Sequence, residues 1–191
     1  MAEGEREVHL GVMEVTQFGV FHPCEMAAKQ MVKQVREGRK GGKIIISSLH
    51  QEVAFRDSAC YNMAKAAVNH LGLTLAAELA CYHIPVNVVN PGWIDTPGER
   101  AGYGDSAVDE GGKYIPWGRL SQPDDIARAV AFLASDDADY VTGATLLADG
   151  SMKLNPAVNV DNIEVWARKS GSQSRISAMF DQKESKDDGI K

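Results

Sequence analysis

Gly41-Gly42-Lys43-Ile44-Ile45-Ile46-Ser47-Ser48 is the stretch on which the architecture turns. A short β-branched run, entered through two glycines and left through two serines, suits a strand buried on both faces of a parallel sheet. Val86–Asn90, between Pro85 and Pro91-Gly92, repeats the pattern, and Pro85 is tolerated at a strand's start. A third strand is expected at Ala144–Ala148, between Gly143 and Asp149-Gly150. The strands are therefore predicted at Lys43–Ser47, Val86–Asn90 and Ala144–Ala148.

The segments between them carry a different period. Ala64, Val68, Leu71, Leu75 and Leu79 recur at three- and four-residue steps, which predicts an amphipathic helix over Tyr61–Tyr82. A second helix is expected over Asp124–Ser135: Ser121 or Gln122 caps it, Pro123 suits its first turn, and Asp124 and Asp125 complement its dipole. Upstream, Val8–Arg39 reads as mostly helical, with Pro23 expected to kink or split it at a cost of ~3 kcal/mol. Gly98–Gly118 reads as a loop-rich stretch. The alternation α–β–α–β–α–β predicts an α/β fold with a doubly wound parallel sheet and right-handed crossovers. After Leu154 the periodicity fades, and residues 154–191 are expected to form a polar, extended tail. The chain is then one domain over residues 1–153 followed by that tail.

Composition narrows the function classes. Apolar residues make up 44% and charged residues 24% of 191, ordinary globular values. A net charge of −6 supplies no electrostatic footprint for nucleic acid or anionic membrane. No apolar run approaches the ~18–20 residues of a membrane span, and Met1–Glu7 is acidic and polar, unlike a signal peptide. Cys24, Cys60 and Cys81 show no paired spacing, which fits reduced thiols and a cytoplasmic location. His9, His22, His50, His70 and His83 are scattered, so no metal site is expected.

Ser48, Tyr61 and Lys65 carry the chemistry. A hydroxyl at a strand end, a phenol opening a helix and an ammonium one turn later can together move a proton onto or off a carbinol oxygen. Free tyrosine titrates at ~10, too high for efficient work near neutrality, and a cation held close is expected to lower it. Each residue alone is unremarkable; the set with its flanking motifs is not.

Those motifs are Tyr61-Asn62-Met63-Ala64-Lys65, Asn87-Val88-Val89-Asn90-Pro91-Gly92, Asp95-Thr96, Pro123-Asp124-Asp125-Ile126-Ala127 and Tyr140-Val141-Thr142-Gly143 leading to Asp149-Gly150. In this order they resemble a short-chain dehydrogenase/reductase over Val8–Lys153. The resemblance implies Tyr61 as general acid or base, Lys65 bonding the nicotinamide ribose, and Ser48 positioning the substrate oxygen. It implies further that the backbone of Pro91, Gly92 and Ile94 faces the nicotinamide of NAD or NADP, that Thr96 contacts its carboxamide or the phosphates, and that Gly98–Gly118 is a substrate-binding loop. Ser48-Leu49-His50-Gln51-Glu52 and Ile115-Pro116 resemble sugar-oxidising members, notably glucose 1-dehydrogenases, with His50 and Glu52 as candidate polyol contacts. The implied function is interconversion of a secondary alcohol, such as a sugar or polyol, and a carbonyl. A non-catalytic scaffold or regulatory subunit of the same lineage is the alternative.

The sequence also departs from that family. It holds no glycine-rich turn that leaves a strand and opens a helix, and Gly4 and Gly11 follow no strand. The expectation is the C-terminal part of a Rossmann-like sheet without the N-terminal βαβ units, truncated of its adenine-binding half and weak in cofactor binding. Thr16 stands where the family's Asn-x-x-Gly pattern has an asparagine. The Lys43–Ser47 strand should present an unpaired edge, and the resemblance implies a homo-oligomer through the Val8–Arg39 and Tyr61–Tyr82 helices.

Overall fold

The computed structural model describes residues 3–48 and 58–154. In chain order these form α1 (Glu3–Met13), a π-helical segment (Glu14–Phe18), α2 (Gly19–Arg36) and β1 (Ile44–Ser47). There follow α3 (Ala59–Leu79), β2 (Val86–Pro91), α4 (Pro97–Tyr103), α5 (Asp105–Gly111), α6 (Pro123–Ala134) and β3 (Thr145–Ala148). The strands make one parallel sheet in the order β1-β2-β3. Ile44 lies opposite Val86, and Val88 opposite Thr145. Among the described residues β1 pairs only with β2, leaving the expected open edge.

Helices cover both faces, because successive side chains of a strand point opposite ways. Ile44 and Ile46 of β1 and Val86 and Val88 of β2 pack with Ala28 of α2 and with Val68, Leu75 and Leu79 of α3. Val89 faces the other way, against Ile126 and Leu133 of α6. This α/β layering is the doubly wound arrangement the alternation predicts. Helix α3 lies flush on β2: a Cβ added at Gly72 would stand 2.4 Å from Val88 Cγ2. Buried Asn87 ties the chain entering β3 to the sheet, its amide donating to Val141 O at 2.7 Å and its oxygen accepting from Ala144 N at 3.0 Å.

Two expectations need correction. The Val8–Arg39 helix begins earlier, at Glu3, ends at Arg36, and breaks not at Pro23 but in the π-helical turn upstream of it. Proline lacks an N–H and its ring crowds the carbonyl four residues back, and π-turns are one of the ways a helix absorbs such local disruption. Thr16, in the asparagine's place, lies inside this widened turn. Nor is Gly98–Gly118 a loop. It holds α4 and α5, joined at Gly104, where φ is +89°. The organiser is Arg100, which grips Asp95 with two bonds of 2.7 and 2.8 Å and reaches Asp105 and Asp109 of α5. A fan of four charge-assisted bonds outweighs the helix-weakening glycines.

No helix among the described residues is long and apolar enough to cross a membrane. The candidate contacts His50 and Glu52, and the tail from residue 155 onward, lie outside the described residues.

Candidate active site

The carboxyl ends of β1 and β2 open into a cavity of about 550 Å³, lined in part by Ser48, Tyr61, Gly92, Ile94, Thr96 and Glu99. Parallel sheets place ligands at this end, because the chain leaves every strand there into a loop or helix. Ser48 follows β1 directly, its N–H donating to Val89 O at 2.9 Å. Tyr61 stands in the first turn of α3 and leans over the sheet edge, 38% exposed. The chain from Pro91 to Asp95 is braced from outside: Ser121 N and Oγ donate to Trp93 O, and Asp95 N donates to Ser121 O. Gly92 is required by close approach, since a Cβ there would meet Asp149 Cα at 2.7 Å.

Of the residues singled out, Ser48, Tyr61, Pro91, Gly92, Ile94 and Thr96 share this one cavity. Lys65 does not line it. Its ammonium lies over the face of the Tyr61 ring, 5.4 Å from the centroid, a cation–π placement. The expected lowering of the Tyr61 phenol is absent. Burial, then the negative charge of Glu99, then Tyr103, push that phenol above its ordinary range. Burial pushes the Lys65 ammonium down. The physical reason is geometric: a cation above the ring face is not beside the phenolic oxygen, whereas Glu99 shares the cavity.

Ser48 is 5% exposed, and its hydroxyl is turned toward α3. It donates to Lys65 O at 3.2 Å and accepts from Asn69 Nδ2 at 3.0 Å. Thr96 is the N-cap of α4, its Oγ1 accepting from Glu99 N at 3.2 Å. Thr96-Pro97-Gly98-Glu99 has the spacing of a capping box, but the Glu99 carboxylate instead accepts from Trp93 Nε1 at 2.8 Å. Burial raises the Glu99 carboxyl, and the Trp93 bond partly opposes this. Glu99, Trp93, Tyr103 and Asn69 escape a reading of motifs alone. Asn69 did carry a signal: it is a polar residue on the stripe of Ala64, Val68 and Leu75 that α3 buries.

The described residues fit the nicotinamide-ribose end of a dinucleotide. Lys65 Nζ is half-buried and has no hydrogen-bond acceptor or ion-pair partner among the described residues, which suits ribose hydroxyls. The Thr96 hydroxyl keeps its own proton to donate.

The family model described as Enoyl-(Acyl carrier protein) reductase matches residues 1–153. The chain is 39% identical over 149 residues to 3beta-hydroxysteroid dehydrogenase 1 of Eggerthella lenta, covering 76% of this chain and 55% of that protein. It is 37% identical over 145 residues to a glucose 1-dehydrogenase of Gluconobacter oxydans, covering 75% and 53%. An Agrobacterium tumefaciens protein solved with bound NADP superimposes with a TM-score of 0.64 at 33% identity, over 75% of this chain and 57% of that one. The chain thus spans little more than half the length of the curated relatives it matches. With an α/β sheet wound on both faces, a Ser48/Tyr61 cavity at its carboxyl edge and a family match across residues 1–153, the chain belongs to the short-chain dehydrogenases/reductases.

Proposed function

We propose that this chain forms the substrate-facing part of an NAD(P)-dependent oxidoreductase that interconverts a secondary alcohol and a carbonyl. The supporting observation is the single cavity lined by Ser48, Tyr61 and residues of the turn from Pro91 to Thr96. When bound, the nicotinamide supplies or takes up the hydride. Tyr61 gives its phenolic proton to the carbonyl oxygen in reduction and takes it from the alcohol in oxidation. Ser48 donates a hydrogen bond to the same oxygen and fixes its position. Lys65 would hold the ribose hydroxyls, and the Thr96 hydroxyl would hold the carboxamide or the phosphates. The backbone of Pro91, Gly92 and Ile94, which lines the cavity, would face the nicotinamide. A sugar or polyol is the favoured alcohol, and the kinship to a glucose 1-dehydrogenase supports it.

The phosphate end is the weak point, because no glycine-rich strand-to-helix turn is present in this sequence to hold a pyrophosphate. The chain should bind NAD(P)H weakly or not at all by fluorescence titration, and a micromolar dissociation constant would overturn that expectation. The proton-transfer role is tested by Tyr61→Phe. Where the parent chain oxidises NAD(P)H against a panel of ketones and sugar lactones, that turnover should vanish in the variant while the far-UV circular dichroism is unchanged. Turnover that survives the change removes Tyr61 from the mechanism.

A further inference from the structure

We propose that Asn69 is a positioning residue for Ser48, presenting its hydroxyl to the substrate oxygen and keeping the Lys65 carbonyl bonded when that hydroxyl turns away. This rests on the role given to Ser48 above.

Asn69 is 2% exposed, on the face of α3 that also buries Val68 and Gly72. An amide there is costly unless its hydrogens are used. Both are used on one small group: Nδ2 donates to Ser48 Oγ at 3.0 Å and to Lys65 O at 3.0 Å. The third side of the triangle is Ser48 Oγ donating to Lys65 O at 3.2 Å. That is the longest of the three, and it is long for a bond between two oxygens.

Two consequences follow from this triangle. A hydroxyl that accepts a hydrogen bond becomes a better donor, so Asn69 strengthens whatever bond Ser48 donates. When the Ser48 proton swings from Lys65 O into the cavity, only the weakest bond breaks. The Lys65 carbonyl still accepts from Asn69, so no buried acceptor is orphaned. The Ser48 proton can thereby pass from Lys65 O to a carbinol oxygen at the loss of one long bond, with the side chain held in one rotamer by Asn69. A leucine at position 69 would pack on the same stripe but would do neither.

The test uses the full 191-residue chain with Asn69→Leu, and with Asn69→Ser should the leucine variant not fold. Turnover should fall about tenfold or more in kcat, with KM changed less than about twofold, the loss expected when one transition-state hydrogen bond weakens. In a Ser48→Ala background the same change should cost nothing further, because Asn69 acts through Ser48. Equal losses in both backgrounds would reduce Asn69 to helix packing and overturn the proposal. A second readout needs no activity. The Ser48 Hα–Hβ couplings measured by NMR should report one staggered rotamer in the parent chain and averaging in the variant. Unchanged couplings would also overturn the proposal. A parent chain without turnover is the outcome that weak NAD(P)H binding entails, and the couplings then decide this proposal.

Discussion

Lys65 Nζ lies 5.4 Å from the centroid of the Tyr61 ring, above its face, while the carboxylate of Glu99 shares the cavity with the phenol. The cation one turn along the helix therefore touches the π-system, and the charge that reaches the reactive group is negative. Together with burial this arrangement keeps the phenol protonated, which in the proposed mechanism favours proton donation by Tyr61 over proton removal.

Replacing that carboxylate relieves the part of the bias that Glu99 adds to burial. Glu99→Gln should lower the pH at which Tyr61 ionises, read from the Tyr61 ring carbon in a pH titration by NMR and assigned with Tyr61→Phe. Any alcohol oxidation that rises with pH should begin its rise at lower pH in the variant. The stability sign is set by Glu99 itself, whose carboxyl is raised in the fold by burial. A raised group stabilises fully below its unfolded value, and that contribution is lost as pH climbs through the folded one. Glu99→Gln should therefore melt higher than the parent at neutral pH, with the gap closing toward pH 4. A gap that widens on acidification would contradict the assignment.

Lys65→Met separates stability from function. Burial already depresses the ammonium, so removing the charge recovers desolvation while losing a cation–π contact of about 0.5–1 kcal/mol. Stability by urea unfolding should stay within about 1 kcal/mol of the parent. Turnover should be lost, since the ribose would have no ammonium to bond. A collapse in stability would mean the lysine is structural.

The contact of α3 with the sheet is tested at Gly72. Gly72→Ala drives a methyl to 2.4 Å from Val88 Cγ2 and should destabilise by about 1–3 kcal/mol, the usual cost of overpacking. Pairing it with Val88→Ala should recover part of that loss in the same denaturation experiment.

Self-association is the last expectation. Val8, Leu10, Val15, Phe21 and Met26 are exposed along α1, the π-helical turn and α2, and an apolar groove between α2 and α3 is lined by Phe21, Val32, Leu71 and Leu75. Apolar surface of this kind seeks cover, and among the described residues one edge of β1 is unpaired as well. Sedimentation velocity should show a dimer or larger species, and Leu71→Lys should shift it toward monomer. A parent chain that sediments as a monomer would remove the groove from consideration as an interface.

The strands and the order of elements were legible from the amino-acid order alone. Ile44–Ser47 and Val86–Pro91 are short apolar runs fenced by glycine, proline and serine, and local composition decides such elements. So were Ser48, Tyr61 and Lys65, because strand end and helix turn dictate their spacing. The shape of Gly98–Gly118 was not, since it depends on Arg100 finding three aspartates at once. Electrostatic balance around Tyr61 was equally hidden: helical spacing brings Lys65 to the same face but says nothing about ring face against hydroxyl edge. Sequence determined which groups stand at the sheet's carboxyl edge. Only the tertiary structure decided which charge each one meets, because charge interactions and hydrogen bonds depend on distance and direction in space rather than on separation along the chain.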